Sequence, residues 1–184
     1  MWPKGPEKLD DDKKDIAGKT FGSSTEYFKE LFDMGNYGTD SHSPYVDIDP
    51  NVLSGAGVPP FSGRNLDAKN VAWIVAANVE DDMPDVTPVL ISANFNPALL
   101  LRKWDGSANR SKRLPVGPAS GADKSMFGDK AIVVVRKGGS AETIKARYLT
   151  YATLYRGQEF DLTGTEAPLF YLTPTGAVEP VGHE

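Results

Sequence analysis

The chain has 184 residues, 40% of them hydrophobic, a formal net charge of -5 and no cysteine. This length and apolar content fit one globular domain with a sizeable core. The acidic balance excludes a general attraction to nucleic acid or anionic lipid, since both select an excess of Lys and Arg. The lack of cysteine excludes disulfides and thiolate metal sites but leaves the compartment open.

The first 22 residues are predicted to be a polar linker or the stub of a helix, ahead of one globular domain at residues 23–184. Pro3, Gly5 and Pro6 break regular structure, and a run of charged residues follows them. No stretch of the sequence approaches the roughly 20 apolar residues that cross a bilayer. The first residues also lack the apolar core of a signal peptide.

A helix is predicted from Ser23, which can cap it while Glu26 reaches back to complete a capping box. Apolar and aromatic residues follow at helical spacing as far as Met34, and Gly35 suits a left-handed stop. We expect this helix to pack on the core. A ligand-binding face is the alternative for a stripe so rich in aromatics.

Residues 36–64 are dense in Gly, Pro, Ser and Asp, which predicts a long ordered loop. Asp47, Asp49 and Asn51 alternate like the start of a calcium loop. An EF-hand is excluded, because Val52 stands where the glycine is needed and Val58 where the glutamate is needed. A looser calcium site remains an alternative to simple turn-forming acids.

Residues 71–77 are continuously apolar, so periodicity alone cannot separate a buried strand from a buried helix. The residues ahead of them favour a helix capped by Asn65, with Trp73 in the core. We therefore predict a helix here.

An acidic loop follows, kept out of helix by Pro84 and Pro88. It is defined by Glu80, Asp81, Asp82 and Asp85. Three of these acids are candidate ligands for a cation such as calcium: Asp81, Asp82 and Asp85. A solvated loop that binds no metal, or that meets a basic partner, is the alternative.

Two strands are predicted at residues 89–93 and 130–135, the second rich in β-branched residues, and we expect them at the centre of the sheet. Gly138 and Gly139 can turn the chain, and alternation over residues 143–148 completes a hairpin with one wet face. The apolar face of this hairpin is expected to rest on the N-terminal helix. The fold class is then α+β, a helix packed on a small antiparallel sheet with long ordered loops.

A basic loop lies between the two strands, and its cations surround Trp104. The cations are Arg102, Lys103, Arg110, Lys112 and Arg113. Cations around a ring can bind single-stranded nucleic acid, but this set is too small in an acidic domain. We predict no nucleic-acid partner. The loop is either solvated or a rim contact to an acidic neighbour, whose contact residues would be Arg102, Trp104, Arg110, Lys112 and Arg113.

Catalytic motifs are absent from the sequence, which holds only two histidines, His42 and His183. Neither a zinc-binding His-Glu-x-x-His, nor a phosphate-binding Gly-x-x-x-x-Gly-Lys, nor a Gly-x-Ser-x-Gly elbow occurs. A carboxylate pair brought together by the fold stays open, since such residues are far apart in sequence. We predict no enzyme and no cofactor, with a small hydrolase as a third option behind the two given below.

Several blocks occur in a fixed order along residues 23–150. They are Ser-Ser-Thr-Glu-Tyr-Phe at residues 23–28, residues 52–59, Asn70 with Trp73, residues 87–91 with Asn94, and Phe-Gly-Asp-Lys-Ala-Ile-Val-Val-Val-Arg-Lys-Gly-Gly-Ser at residues 127–140. In this order they resemble the soluble domain of pseudopilins, the pilin-like subunits of type II secretion and type IV pilus systems.

The resemblance implies a structural subunit held in the bacterial inner membrane by an N-terminal apolar helix, with its globular domain facing the periplasm. Its partners would be other pseudopilin subunits and components of the secretion system, and we expect that the apolar helix was removed from the printed sequence. Contact between the acidic loop and the basic loop of the next subunit is a further hypothesis. The competing interpretation is an exported carbohydrate- or ligand-binding module, with stacking faces at Trp104, Tyr37 and Tyr45.

Overall fold

The structure is a computed structural model that describes residues 20–37, 66–106, 110–117, 128–164 and 168–180. These residues form a mixed α+β fold, in which a helix lies on one face of a six-stranded antiparallel sheet. The predicted fold class is confirmed at this level. The polar segment at residues 1–19 and the long loop with His42 and the alternating residues Asp47, Asp49 and Asn51 lie outside the described residues.

The described residues form two α-helices, eight strands and three short 3₁₀ turns. The helices are α1 (Ser24–Tyr37) and the single turn α2 (Tyr151–Leu154). The strands are β1 (Trp73–Ala77), β2 (Pro88–Ser92), β3 (Lys103–Trp104), β4 (Ala131–Arg136), β5 (Ala141–Lys145), β6 (Phe160–Asp161), β7 (Phe170–Thr173) and β8 (Gly176–Val178). Short 3₁₀ turns occupy Ala68–Asn70, Pro97–Leu99 and Ala146–Tyr148.

The strand order in the main sheet is β5-β4-β2-β1-β7-β8, and β3 pairs with β6 in a separate two-stranded sheet. The two predicted strands are confirmed as β2 and β4, each displaced by one residue, and they are antiparallel neighbours. Of the two, β2 lies in the central pair as predicted, but its partner there is β1, so the central position predicted for β4 is wrong. The strands β7 and β8 extend the sheet beyond β1, and the sequence patterns did not predict them.

The predicted helix at residues 71–77 is wrong, since β1 occupies this segment. Ile74 and Ala76 belong to the large core cluster on one face of the sheet, whereas Val75 and Ala77 belong to the cluster under α1. A strand buried on both faces loses the polar alternation that identifies a half-buried strand. Trp73 is half-buried rather than fully buried.

α1 begins as predicted but ends later. The Ser23 hydroxyl accepts from the Glu26 amide at 3.2 Å, as a cap does, whereas the Glu26 carboxylate accepts from the Gly22 amide at 2.7 Å, one residue before the partner expected in a capping box. The helix continues through Gly35 to Tyr37, so the predicted stop is wrong. A glycine inside a helix costs only about 1 kcal/mol relative to alanine, so a single glycine does not have to end the helix.

The N-terminus of α1 is joined to the sheet by packing and hydrogen bonds. Phe21 is 5% exposed, and its ring meets that of Tyr27 edge-on at 5.4 Å. The packed domain therefore extends to Phe21, two residues ahead of its predicted start. The hydroxyl of Ser24 donates to the carbonyl of Trp73, and that of Thr25 to the carbonyl of Pro174, both at 2.8 Å.

The β4–β5 hairpin forms, with Gly139 in the left-handed region at a φ of 81°. Its strand alternation ends at Lys145, because the chain turns into 3₁₀ geometry at Ala146. Ile144 joins the large cluster on the face opposite α1, and α1 instead contacts β1 and β7. The prediction that this apolar face of the hairpin rests on α1 is therefore wrong.

Two ends of the main sheet position the surfaces discussed below. The Trp73 end is where Trp73 pairs with Ser92 and Ala131 pairs with Lys145. The Ala77 end is where Ala77 pairs with Phe170. In the part of the chain that the structure describes, no helix has the length and apolar character needed to cross a bilayer.

Candidate interaction surfaces

At the Trp73 end, Asn94 fastens the end of β2 to the start of β4. Its side-chain amide donates to the carbonyls of Gly128 and Ala131, both at 2.8 Å, and its oxygen accepts from the Ser92 hydroxyl at 2.7 Å. The Ser92 oxygen in turn accepts from the Val133 amide at 2.9 Å. Asn94 and Ser92 are both 0% exposed, so this small polar network is fully enclosed. It binds together two sequence blocks that lie more than thirty residues apart.

At the Ala77 end, the turn after β4 holds the acidic loop in place. The Lys137 ammonium donates to the carbonyls of Asp81 and Met83, at 2.5 and 2.8 Å, and the Lys137 amide donates to the Thr87 carbonyl at 2.9 Å. The Gly138 amide donates to the Asp85 carbonyl, also at 2.9 Å. These bonds hold the backbone of the acidic loop in place. The Lys137 ammonium donates to main-chain carbonyls of the loop and not to its carboxylates.

The carboxylates of the acidic loop point outward: Asp81, Asp82 and Asp85 are exposed, and Glu80 is half-buried. Among the residues that the structure describes, no group of three or more His, Asp or Glu side chains could hold a metal ion. A hard cation such as calcium requires six to eight oxygen ligands, so the three candidate aspartates do not form a metal site by themselves. They form instead an exposed patch of negative charge.

Trp104 is not a surface residue, so its prediction as a contact residue is wrong. It is 2% exposed, and its ring lies 5.8 Å from Tyr155 in a stacked arrangement and 6.3 Å from Phe160. It enters the core because β3 pairs with β6, which brings Phe160 opposite it. A ligand-binding module that stacks on Trp104 has no physical basis in this fold, and Tyr45 and the Tyr37 side chain lie outside the described residues.

The predicted cations of the basic loop divide into two groups. Arg102 forms an ion pair with Glu179, and Lys103 forms one with Asp161 at 3.2 Å. The other three, Arg110, Lys112 and Arg113, are exposed on a segment that runs antiparallel to the chain after β5. In that segment the Leu114 amide donates to the Leu149 carbonyl at 2.9 Å.

A basic aromatic surface that the sequence patterns did not single out lies at the Trp73 end. Among the large hydrophobic side chains that the structure describes, that of Tyr148 stands out because it is 57% exposed. The guanidinium of Arg147 lies over its ring, 4.7 Å from the centroid. Lys130 and Lys145 are also exposed, and the backbone of Lys130 is close to this segment because the Ala146 amide donates to the Lys130 carbonyl at 2.7 Å. We call Lys130, Lys145, Arg147 and Tyr148 the Tyr148 surface.

A buried cation also escaped the sequence patterns. Arg136 is 1% exposed and donates to the carbonyls of Leu154 and Thr153 at 3.0 and 3.1 Å, as well as to the Glu142 carboxylate at 3.1 Å. Burial lowers the pKa of Arg136, and the nearby Glu142 charge acts against that shift. The strand alternation offered a signal, since Ile132, Val134 and Arg136 share one face.

The buried tyrosines do not form acid–base machinery. The Tyr155 hydroxyl donates to the Leu101 carbonyl at 3.4 Å and accepts from its amide at 3.2 Å, while Tyr171 donates to the Pro88 carbonyl at 2.8 Å. Burial raises the pKa of Tyr155 and that of Tyr171 well above the ordinary value. Both hydroxyls therefore stay protonated and act as structural donors.

Comparison with protein-family models, curated proteins and solved structures finds no match to this chain.

Proposed function

We propose that this chain is the globular domain of a pseudopilin, a structural subunit of a type II secretion pseudopilus or a related type IV pilus-like fibre, with no catalytic activity. The observation that carries the proposal is the position of α1, which precedes the sheet in the chain and packs on one face of it. A fibre subunit of this class needs that arrangement, because the helix that assembles the fibre must continue into the globular domain.

The ordered sequence blocks give further support, because their polar residues serve the framework of the fold. Asn94 joins the block at residues 87–94 to the block at residues 127–140. The Lys137 amide joins the same two blocks at the other end of the sheet, where it donates to the Thr87 carbonyl. Residues that carry the resemblance thus have structural roles in the described chain.

The proposal places the protein in the bacterial cell envelope, with the domain in the periplasm and an apolar helix that precedes it in the inner membrane. Its partners would be further pseudopilin subunits and components of the secretion system, with no nucleic acid and no cofactor. Exposed charge at both ends of the sheet fits a protein that acts through its surfaces.

Mass spectrometry of the N-terminus of the native protein, recovered from its source membranes, tests the proposal. The expected result is a processed, N-methylated residue that opens a long apolar segment leading into residues 20–37. A mature start near Met1 in a soluble fraction would overturn the proposal and favour a free exported module.

A further inference from the structure

Opposite charges lie at opposite ends of the main sheet. The acidic loop leaves β1 at the Ala77 end, and the Tyr148 surface follows β5 at the Trp73 end. The two ends are separated by the length of β4, six residues, or about 17 Å at the usual rise of a strand. One molecule therefore cannot bring its own two patches together, but two molecules can.

The cations of the Tyr148 surface are available for a partner. Lys130, Lys145 and Arg147 form no ion pair with any residue that the structure describes. Asp129 is an exposed carboxylate next to Lys130, so the local balance is three cations to one acid. Tyr148 adds an exposed ring, a side chain that protein interfaces use more often than the rest of the surface does.

The acidic loop has the properties of the matching partner. Its backbone is held by Lys137 and Gly138, so binding would immobilise little chain. Its three exposed carboxylates remain uncommitted to the Lys137 ammonium, which donates to carbonyl oxygens.

We propose that the Tyr148 surface of one copy binds the acidic loop of a second copy, with the exposed aspartates against Arg147 and Lys145. This inference rests on the proposed function, because it assigns the contact between neighbouring subunits. It differs from the contact expected from the sequence, which used the basic loop: Arg102 and Lys103 have carboxylate partners within the chain, whereas Arg110, Lys112 and Arg113 remain exposed. A contact between two different patches at opposite ends repeats from copy to copy, and so builds a line of subunits when it does not close into a ring.

Anionic lipid is the competing occupant of the Tyr148 surface. α1 starts at the Trp73 end, where Ser24 donates to the Trp73 carbonyl, so the preceding chain enters on this side. Lipid would explain the cations but leaves the acidic loop at the other end without a counterpart. The second copy explains both patches.

Paired cysteines test the contact directly, because the chain contains no cysteine of its own. The variant Asp82→Cys/Arg147→Cys, made in the full native protein in its source cells, should give a ladder of disulfide-linked dimers, trimers and longer species after mild oxidation. Each single variant should stop at the dimer. The matched control Asp82→Cys/Gln158→Cys places the second thiol at an exposed position outside the Tyr148 surface and should also give no ladder.

Charge reversal provides an independent test without thiols. Lys145→Glu/Arg147→Glu should lower the yield of chemically crosslinked multimers by about tenfold, because like charges then face each other. Adding Asp81→Lys/Asp82→Lys on the same chain should restore the yield.

A fibre that assembles normally with no cysteine ladder would overturn this contact while leaving the proposed function intact. Charge-sensitive binding of the 184-residue chain to phosphatidylglycerol vesicles, together with an absent ladder, would overturn it in favour of lipid. An unprocessed N-terminus would overturn the proposed function itself.

Discussion

The guanidinium of Arg136 donates through Nε to the main-chain carbonyl of Leu154 at 3.0 Å, and this bond joins β4 to the end of α2. A single helical turn leaves its last carbonyls without partners inside the helix. Arg136 supplies donors for two of them, Thr153 and Leu154. The buried cation is therefore a structural cap for α2.

Replacing this cation should destabilise the fold. Arg136→Met is expected to lower the free energy of unfolding by about 1–3 kcal/mol, because the buried Leu154 carbonyl loses its donor while the Thr153 carbonyl keeps the Arg156 amide. Glu142→Gln is the matched control and should cost about 1 kcal/mol or less, since Glu142 is 43% exposed and Arg136 keeps both carbonyls. Urea denaturation measures both. Equal losses in the two variants would show that the ion pair, and not the carbonyl contacts, dominates.

Trp104 is buried and Tyr148 is exposed, so replacing each with alanine should have very different effects on stability. Trp104→Ala removes a ring that is 2% exposed and should cost about 3–5 kcal/mol. Tyr148→Ala removes a ring that is 57% exposed and should change stability by less than about 0.5 kcal/mol. Thermal unfolding followed by near-ultraviolet circular dichroism compares them. A Trp104→Ala protein as stable as the wild type would show that Trp104 is not part of the core.

Gly138 should tolerate no side chain, because of the acidic loop. A Cβ at this position would lie 2.9 Å from the Cβ of Asp85 and 3.3 Å from its carbonyl oxygen. Gly138→Ala is expected to cost about 1–3 kcal/mol, the usual range for overpacking. Gly164→Ala is the matched control, with nothing within 4 Å of the added Cβ, and should be close to neutral. Hydrogen exchange of the Asp85 to Thr87 amides should speed up in the first variant only.

Asp161 should contribute to stability in a defined range of pH. Hydrogen bonds from the Thr163 hydroxyl and amide to its carboxylate, together with Lys103, lower the pKa of Asp161 to about 2. Because the folded pKa lies below the ordinary value, the contribution is present above about pH 4 and disappears as the pH falls towards 2. The Tm of the wild-type protein should therefore fall more steeply over this range than that of Asp161→Asn. Parallel curves for the two proteins would contradict the lowered pKa.

Local sequence patterns predicted those parts of the fold that depend on residues close together in the chain. The Ser23 cap, the β-branched run of β4 and the Gly138-Gly139 turn all act within a few positions along the chain. Each was predicted to within about one residue. The charges of the acidic loop were also evident, although not what holds the loop.

Which segments are buried on both faces, and which charges are free, depends instead on contacts between distant parts of the chain. β1 became a strand because β2 and β7 pair with it from distant parts of the sequence. Trp104 became core because Phe160 faces it across a two-stranded sheet, and Arg136 became a cap because α2 folds back beneath β4. Tyr148 stayed outside because the chain leaves the sheet at Lys145. These outcomes depend on contacts between residues far apart in the chain, and local patterns carry no record of such contacts.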